Sequence, residues 1–457
     1  MSVLDAIAAA IPGNRIVIDP DVMVGLSRDQ GFGAAAGTPQ AVVRAESTDD
    51  VVAVVRACIE HRVPIVPRGA GTGLSGGANA LDGGIVLSLE RMNRVLRIDT
   101  MERLAVVQAG VVNDDLRATA AQHGLWYPPD PASSPWSTIG GNVSTNAGGI
   151  CCVKYGVTAD YVLALQMVTG TGELVRLGRS TAKGVAGYDL TRLVVGAEGT
   201  LGVVTEVTVR LRPLPPAPRT VAGYFDSVID AGVAVRNVAE AGLTPSALEL
   251  IDRHCLTAVD NWRHMGLSVD ANVILLGRID DPAPAGDEHA ARMVECFTAA
   301  GATWAAQSTD EVEADAMFAA RRLAYPALER LGPVVTEDIC VPKGQVPEML
   351  ARIEAAAQRH GIIIANIAHA GDGNLHPLLV AQTGDDDERH RTELAFGEII
   401  SNAIALGGTV TGEHGVGLLK RHGLGQELSP AVMEMHRAVK RALDPYLIMN
   451  PGKIFDA

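Results

Sequence analysis

The sequence predicts an α+β protein of roughly two to three domains, and three observations carry that expectation. A short apolar strand, Pro64 to Val66, runs into a loop with glycine at positions 69, 71, 73, 76 and 77. Four prolines fall among residues 213 to 218 and mark a domain boundary. From Arg219 onward strand and helix signals alternate: Val228 to Ala241, Asn272 to Ile279, Glu288 to Ala300, Val334 to Val341, Val346 to His360 and Ile362 to Ile367. That alternation suits an antiparallel sheet backed by helices.

The glycine loop can turn several backbone N–H groups toward one point, which makes an anion nest suited to phosphate or pyrophosphate. Gly71 to Gly76 also satisfies G-x-G-x-x-G, the dinucleotide-binding turn of a doubly wound fold. That reading requires a helix to open directly after the turn. Only eight residues separate Gly76 from the apolar run Ile85 to Leu89, three of them glycine, so no helix fits. No Gly-Lys-Ser/Thr follows, which removes the P-loop. A strand-loop-strand cradle remains, with Arg68 as a counter-charge; the bland alternative is a surface loop without a ligand.

The 457 residues are 47% hydrophobic and 20% charged, a globular composition. A net charge of -15 repels nucleic acid and anionic membrane, so a phosphate-bearing ligand here is expected to be a small cofactor. The six cysteines form no C-x-x-C pair, which argues against a zinc ribbon, an iron-sulfur cluster or a disulfide framework. A reducing cytoplasmic setting is expected, with any membrane contact peripheral at the inner face. Ala6 to Ile11, preceded by Asp5, reads as a short capped helix and not as a signal peptide. No apolar run reaches the ~18 residues of a transmembrane helix.

In chain order, Ser47 and Asp50 form a capping box for a helix with apolar positions 51, 54, 55, 58 and 59 on one face, ending near His61. Strands are expected at Gly84 to Leu89 and Leu104 to Ala109, then a helix from Asn113, as N-cap, to Gly124. Pro128 to Gly149 holds too many turn residues for a helix or long strand, and its polar side chains are almost all uncharged. Such neutral donors and acceptors suit a planar heterocycle, and an unstructured stretch this long inside a domain points to function. A hairpin turns at Gly170 to Gly172. Leu193 to Leu211 reads as two β segments joined by the glycine-rich residues 196 to 202.

The C-terminal third carries titratable groups in a suggestive order. His369-Ala-Gly-Asp-Gly-Asn-Leu-His376 follows a buried-looking strand, and its turn can fold the two imidazoles together. Gly407 to Gly417 places Glu413 and His414 between glycines. Two histidines and a glutamate with an open position suit a divalent metal of the zinc, manganese or iron type. The seven-residue histidine spacing is not a standard zinc pattern, and a hydrogen-bonded core pair is the alternative.

Taken jointly, Pro67-Arg-Gly-Ala-Gly-Thr-Gly-Leu-Ser75, Thr138 to Gly149, Gly196 to Gly202, His369 to His376, Gly412 to Gly415 and Asn450-Pro-Gly-Lys453 resemble the FAD-linked oxidases of the vanillyl-alcohol oxidase superfamily. The resemblance covers nearly the whole chain and is to the branch of D-lactate dehydrogenase, the glycolate oxidase catalytic subunit and D-2-hydroxyglutarate dehydrogenase. It implies an N-terminal segment (1–37), a two-lobed FAD-binding domain (38–216), an antiparallel-sheet cap domain (217–406) and a helical C-terminal segment (407–457) returning to the flavin.

The same resemblance implies that Pro67, Arg68, Gly69, Ala70, Gly71, Thr72, Gly73, Leu74 and Ser75 cradle the pyrophosphate. Asp130, Thr138, Ile139, Gly140, Asn142, Thr145, Gly148 and Gly149 would line the rest of FAD, with Glu198, Gly202, Val203 and Asn450. The glycine loop lacks the histidine through which some superfamily members attach FAD, so the cofactor is expected to dissociate. His369, His376 and Glu413 look like ligands of a divalent metal, zinc first and manganese or iron as alternatives. His414 looks like the general base and Arg321 the clamp for a substrate carboxylate.

The implied activity is oxidation of a D-2-hydroxy acid to the 2-oxo acid by hydride transfer to flavin. Hydroxyglutarate-specific relatives carry Asn and Lys where this chain has Leu378 and Thr336, which turns the expectation toward D-lactate or glycolate. The electron acceptor would be a quinone, a carrier flavoprotein or a partner subunit, with a homodimer kept open. Two other readings compete: a non-catalytic flavin-binding subunit, disfavoured by the full set of metal and base positions, and an ether-forming transferase, for which no lipid-binding signal is present.

Overall fold

Helix α1, Thr48–His61, begins at the expected capping box in the computed structural model of the chain. Ser47 Oγ accepts the Asp50 N–H at 3.2 Å, and the Asp50 carboxylate accepts the Ser47 N–H at 3.0 Å. The structure describes residues 1–267, 271–308, 311–381 and 385–456. Residues 268–270, 309–310 and 382–384 of the expected cap domain, and residue 457, lie outside the described residues. The chain divides into two compact units, one of Met1–Gly148, Val157–Leu214 and Glu413–Ala457, the other of Gly149–Gly156 and Pro215–Gly412.

In the first unit, β1 (Ile65–Arg68) and β2 (Ile85–Ser88) pair in parallel, and Ala41–Arg44 flanks β2 in parallel on its other side. The apolar face of α1 packs on this sheet: Val51, Val54, Val55 and Cys58 share a buried cluster with Ile65, Ile85 and Leu87. A second sheet has five antiparallel strands in the order Val95–Asp99, Leu104–Gln108, Gly202–Arg210, Val162–Thr169, Leu174–Gly178. Residues 69 to 84 contain no helix, which leaves the glycine loop as a connection between two strands.

Four sequence expectations need correction. The stretch 128–149 contains a helix, α2, Ile139–Thr145. Thr138 caps it by accepting the Gly141 N–H at 3.3 Å, and Ile139 and Val143 bury one face, so tertiary contact overrides poor propensity. Leu193 and Val194, expected to open a strand, end a helix instead, Leu190–Val194, opened by Asp189 as N-cap. Asn113 is the first helical residue and not the cap, which is Val112 without a side-chain bond; the Asn113 side chain instead donates to Pro129 O at 3.1 Å. The N-terminal helix, Val3–Ala10, starts earlier, with Ser2 as cap and Asp5 closing its box.

The C-terminal residues pair with the start of β1, the strand that leads into the glycine loop: Ile65 N–H donates to Ile448 O, and Asn450 N–H to Ile65 O, both at 2.8 Å. Just before them, buried Lys440 bonds Asp444 Oδ2, Met449 O and Thr200 O at 2.6, 2.6 and 2.7 Å. Removing one partner of a buried ion pair leaves an uncompensated charge and costs about 3–5 kcal/mol. Asp444→Ala is therefore expected to lower unfolding free energy by that order in a denaturant titration. A loss under about 1 kcal/mol contradicts this account of the pair.

In the second unit, eight described strands form an antiparallel sheet, as the alternation predicts. Its central strands are β3 (Ala247–Asp252), β4 (Ile363–His369) and β5 (Asn374–Val380). The expected strand 334–341 is two short ones, Val334–Thr336 and Ile339–Cys340, separated at the buried pair Glu337 and Asp338. One sheet face packs on α3, Glu311–Leu328: Ala247, Ile251, Ala365, Ile367, Leu378 and Val380 share a buried cluster with Phe318, Ala324 and Leu328. Alternation with period two then places Glu249, His369 and His376 on that same face.

Candidate active site

Three glycine segments meet in the first unit. Gly69 touches α2 so closely that a Cβ there would lie 2.2 Å from Thr138 Oγ1, and a Cβ on Gly140 would lie 2.7 Å from Ala109 Cβ. The third segment joins through backbone bonds: Gly196 N–H donates to Val143 O at 2.9 Å and Glu198 N–H to Ser144 O at 2.8 Å. Gly199, with φ +72°, sits over the Pro67 ring. Thr145 Oγ1 bonds back to Gly141 O within α2, Val203 is buried in its strand, and Gly202 has φ +153° beside Val168 O. Asp130 is half-buried in the loop before α2. Gly148 ends the second glycine segment in this unit, whereas Gly149 belongs to the other unit.

Arg68 is buried, with Nη1 donating to Arg28 O at 2.8 Å, and burial lowers its pKa. Its Nε, together with Ser137 Oγ and Asn142 Nδ2, is buried without a hydrogen-bond partner. Buried donors are costly unless paired. Placed on the two converging segments, they fit a ligand rich in acceptor atoms, as a pyrophosphate with a flavin ring is.

Ser75 anchors the segment after Glu413: its Oγ donates to Gly415 O at 2.8 Å, and Ser75 O accepts the Leu418 N–H at 2.7 Å. Glu198 holds the same turn, its carboxylate oxygens accepting the N–H groups of Val416 and Gly417 at 2.7 and 2.9 Å. Asn450 Nδ2 donates to Gly77 O and Glu198 O at 2.9 and 2.7 Å. His414 is thus carried on a turn fixed to the cradle, and Glu413 Oε1 lies 3.9 Å from its Nε2.

Burial pushes the Glu198 carboxyl up from its ordinary 4.5 to about 7, against the Val416 and Gly417 N–H groups and Lys453. In the flavin-free chain it keeps a proton that the unfolded chain has released. Its contribution to stability is full below pH 4.5 and lost as pH rises to about 7. Burial pushes Lys453 the other way, from 10.5 down to about 8, so its contribution is full above pH 10.5 and lost as pH falls to about 8. Thermal melts of flavin-free protein are expected to lose stability between pH 4.5 and 7, and Glu198→Gln to flatten that slope. An unchanged slope in the variant contradicts the assignment.

The second unit brings His369 and His376 together, as the turn between them predicts. Their ring centroids are 5.1 Å apart and nearly perpendicular, and both are buried. In the strand register Ile367 lies opposite His376, and Glu249 opposite His369. The Glu249 carboxylate engages His369 Nδ1 at 2.8 and 3.0 Å, so Nε2 is the nitrogen this ring can turn to a metal. Asp338 Oδ1 lies 3.6 Å from His376 Nδ1. Two buried imidazoles with carboxylates behind them form a donor set that fits a divalent cation. Arg321, from α3, lies beside them with Nε 3.0 Å from Glu249 Oε2.

Glu249 and Asp338 escaped the sequence reading. Asp338 accepts bonds from Asn374 Nδ2 at 2.7 Å, Thr411 Oγ1 at 2.7 Å and Gly412 N–H at 3.0 Å. Glu249 was findable: a carboxylate inside the run Ala247-Leu-Glu-Leu-Ile251 interrupts an apolar strand, and a buried charge requires a partner.

A mixed four-stranded sheet and an antiparallel five-stranded sheet that share a glycine-lined cradle in one unit, with an antiparallel sheet in the other, are the architecture of a flavoprotein of the vanillyl-alcohol oxidase type. The chain belongs to the FAD-linked oxidase family: residues 214–454 match its model "FAD linked oxidases, C-terminal domain", and residues 39–178 match "FAD binding domain". It is an FAD-dependent oxidoreductase. It is 42% identical to glycolate oxidase subunit GlcD of Bacillus subtilis over 91% of this chain and 89% of that one. It is also 33% identical to D-lactate dehydrogenase of Anaerostipes hadrus over 97% and 95%. Among solved structures, p-cresol methylhydroxylase with substrate bound superposes with TM-score 0.83 over 99% of this chain and 96% of that one, at 16% identity, a likeness of fold.

Proposed function

We propose that this protein oxidises a D-2-hydroxy acid, D-lactate or glycolate first, to the corresponding 2-oxo acid. The observation that carries the reading is the cluster on one sheet face: two buried imidazoles 5.1 Å apart, with an Arg–carboxylate pair beside them. FAD would be held without a covalent bond by the domain 38–216, through the loop Pro67 to Ser75, the segment Asp130 to Gly149, and Glu198, Gly202, Val203 and Asn450. Bound FAD supplies the acceptor for the α-hydrogen. The cap domain is 217–406 and the returning segment 407–457.

His369, His376 and Glu413 would hold a divalent metal, zinc first, with manganese or iron as alternatives. A metal there would supply Lewis acidity toward a bound hydroxyl. His414 takes the hydroxyl proton as general base. Arg321, with Nε toward Glu249, meets the substrate carboxylate with its outer nitrogens and fixes which face of the carbon is presented. The outcome is a 2-oxo acid, one proton on the base and two electrons for an external quinone, carrier flavoprotein or partner subunit.

Small substrates are favoured over hydroxyglutarate because Thr336 and Leu378 face each other across two strands, with Leu378 in the apolar cluster. A second carboxylate would find no cation from those two positions. No helix among the described residues is long and apolar enough to cross a membrane; we place the protein in the cytoplasm or at the inner membrane face. Steady-state turnover with an artificial dye is the test, across D-lactate, L-lactate, glycolate and D-2-hydroxyglutarate. D-Lactate or glycolate should give the highest kcat/KM. Consumption of none of the four would overturn the reading.

A further inference from the structure

Glu249 is fully buried, on a strand otherwise apolar between Ala247 and Ile251. A carboxylate there is costly unless strongly partnered. Its side-chain partners are the two residues proposed to act on metal and substrate. One is His369 Nδ1, at 2.8 Å from Oε1 and 3.0 Å from Oε2. The other is Arg321 Nε, at 3.0 Å from Oε2, an ion pair whose N–H direction falls outside hydrogen-bond alignment. The histidine contact is built into the fold, since Glu249 and His369 are direct partners across adjacent strands.

We infer that Glu249 is a positioning residue that sets His369 and Arg321 together: it fixes the proton of His369 on Nδ1, so that Nε2 is the ligating nitrogen, and orients the Arg321 guanidinium beside it. An imidazole chooses its tautomer by the hydrogen bond its other nitrogen makes. A carboxylate on Nδ1 also raises the basicity of Nε2. The shared carboxylate makes the two functions interdependent: a change that releases one side chain also frees the other. What His369 and Arg321 touch rests on the proposed function; the tautomer does not.

The test uses the flavin-loaded, metal-stripped protein labelled with 15N-histidine. His369, assigned by loss of its signals in His369→Asn, is expected to carry a proton on Nδ1; a bare Nδ1 overturns the inference whatever the metal results. Zn(II) affinity is then measured by chelator competition on wild type and Glu249→Gln, with FAD retention as the check of folding. The variant is expected to bind Zn(II) about 10- to 100-fold more weakly and to show a raised KM for D-lactate. Affinity and KM both within twofold of wild type would sink it. Should Glu249→Gln fail to retain FAD, Glu249→Asp, one methylene too short to reach both partners, takes its place in the same measurements. If wild type takes up no Zn(II) while Nδ1 is protonated, the metal reading falls and the positioning of His369 stands.

Discussion

His414→Asn is expected to lower kcat by about 10²–10⁴-fold, the range that a positioned general base contributes, with FAD still bound at wild-type affinity. The imidazole is carried on a turn that other residues hold through its backbone. Ser75 Oγ and Glu198 hold that turn through Gly415 O and the Val416 and Gly417 N–H groups. Asparagine therefore removes the base without releasing the backbone from the cradle. The check is a stopped-flow comparison of flavin reduction by D-lactate in wild type and variant, alongside an FAD titration. A reduction rate within threefold of wild type would remove His414 from the chemistry.

Gly69→Ala is expected to give protein that binds FAD roughly 10- to 100-fold more weakly. The added Cβ would lie 2.2 Å from Thr138 Oγ1, an oxygen that cannot swing away without uncapping α2 at Gly141. Forcing a methyl into such a contact costs about 1–3 kcal/mol, which is one to two decades of affinity if it opens the cradle. The companion Thr138→Ala, which removes that oxygen, should restore part of the affinity in the double variant even though it weakens the cap. Equal FAD affinity for Gly69→Ala and wild type, by fluorescence quenching, would show that the two glycine segments are not jointly responsible for the cofactor.

The cradle and the histidine pair were legible because each depends on local rules. The short glycine-bearing stretch between Gly76 and Ile85 leaves no room for a helix, and the short turn Ala370–Asp372 returns β5 along β4. Helix α2 was not legible. Ile-Gly-Gly-Asn-Val-Ser-Thr is a poor helix by propensity, and beside the local cap at Thr138 what secures it is Gly140 against Ala109, a contact between residues distant in the chain. The same limit hid Glu249. Its partners His369 and Arg321 are 120 and 72 positions away, so the strand register is needed to reveal the first and the packing of α3 on the sheet to reveal the second. The strand Val95–Asp99 was missed because its burial is slight and irregular, with Leu96 and Arg97 exposed, and an edge strand without clean alternation gives little periodic signal.

The most direct test is anaerobic mixing of the flavin-loaded protein with excess D-lactate and, separately, with excess glycolate, while the visible flavin spectrum is followed. The proposed function predicts loss of the oxidised-flavin absorbance with one equivalent of 2-oxo acid formed per FAD. An oxidised spectrum that persists with both acids, in protein shown to hold its flavin and a divalent metal, would contradict it.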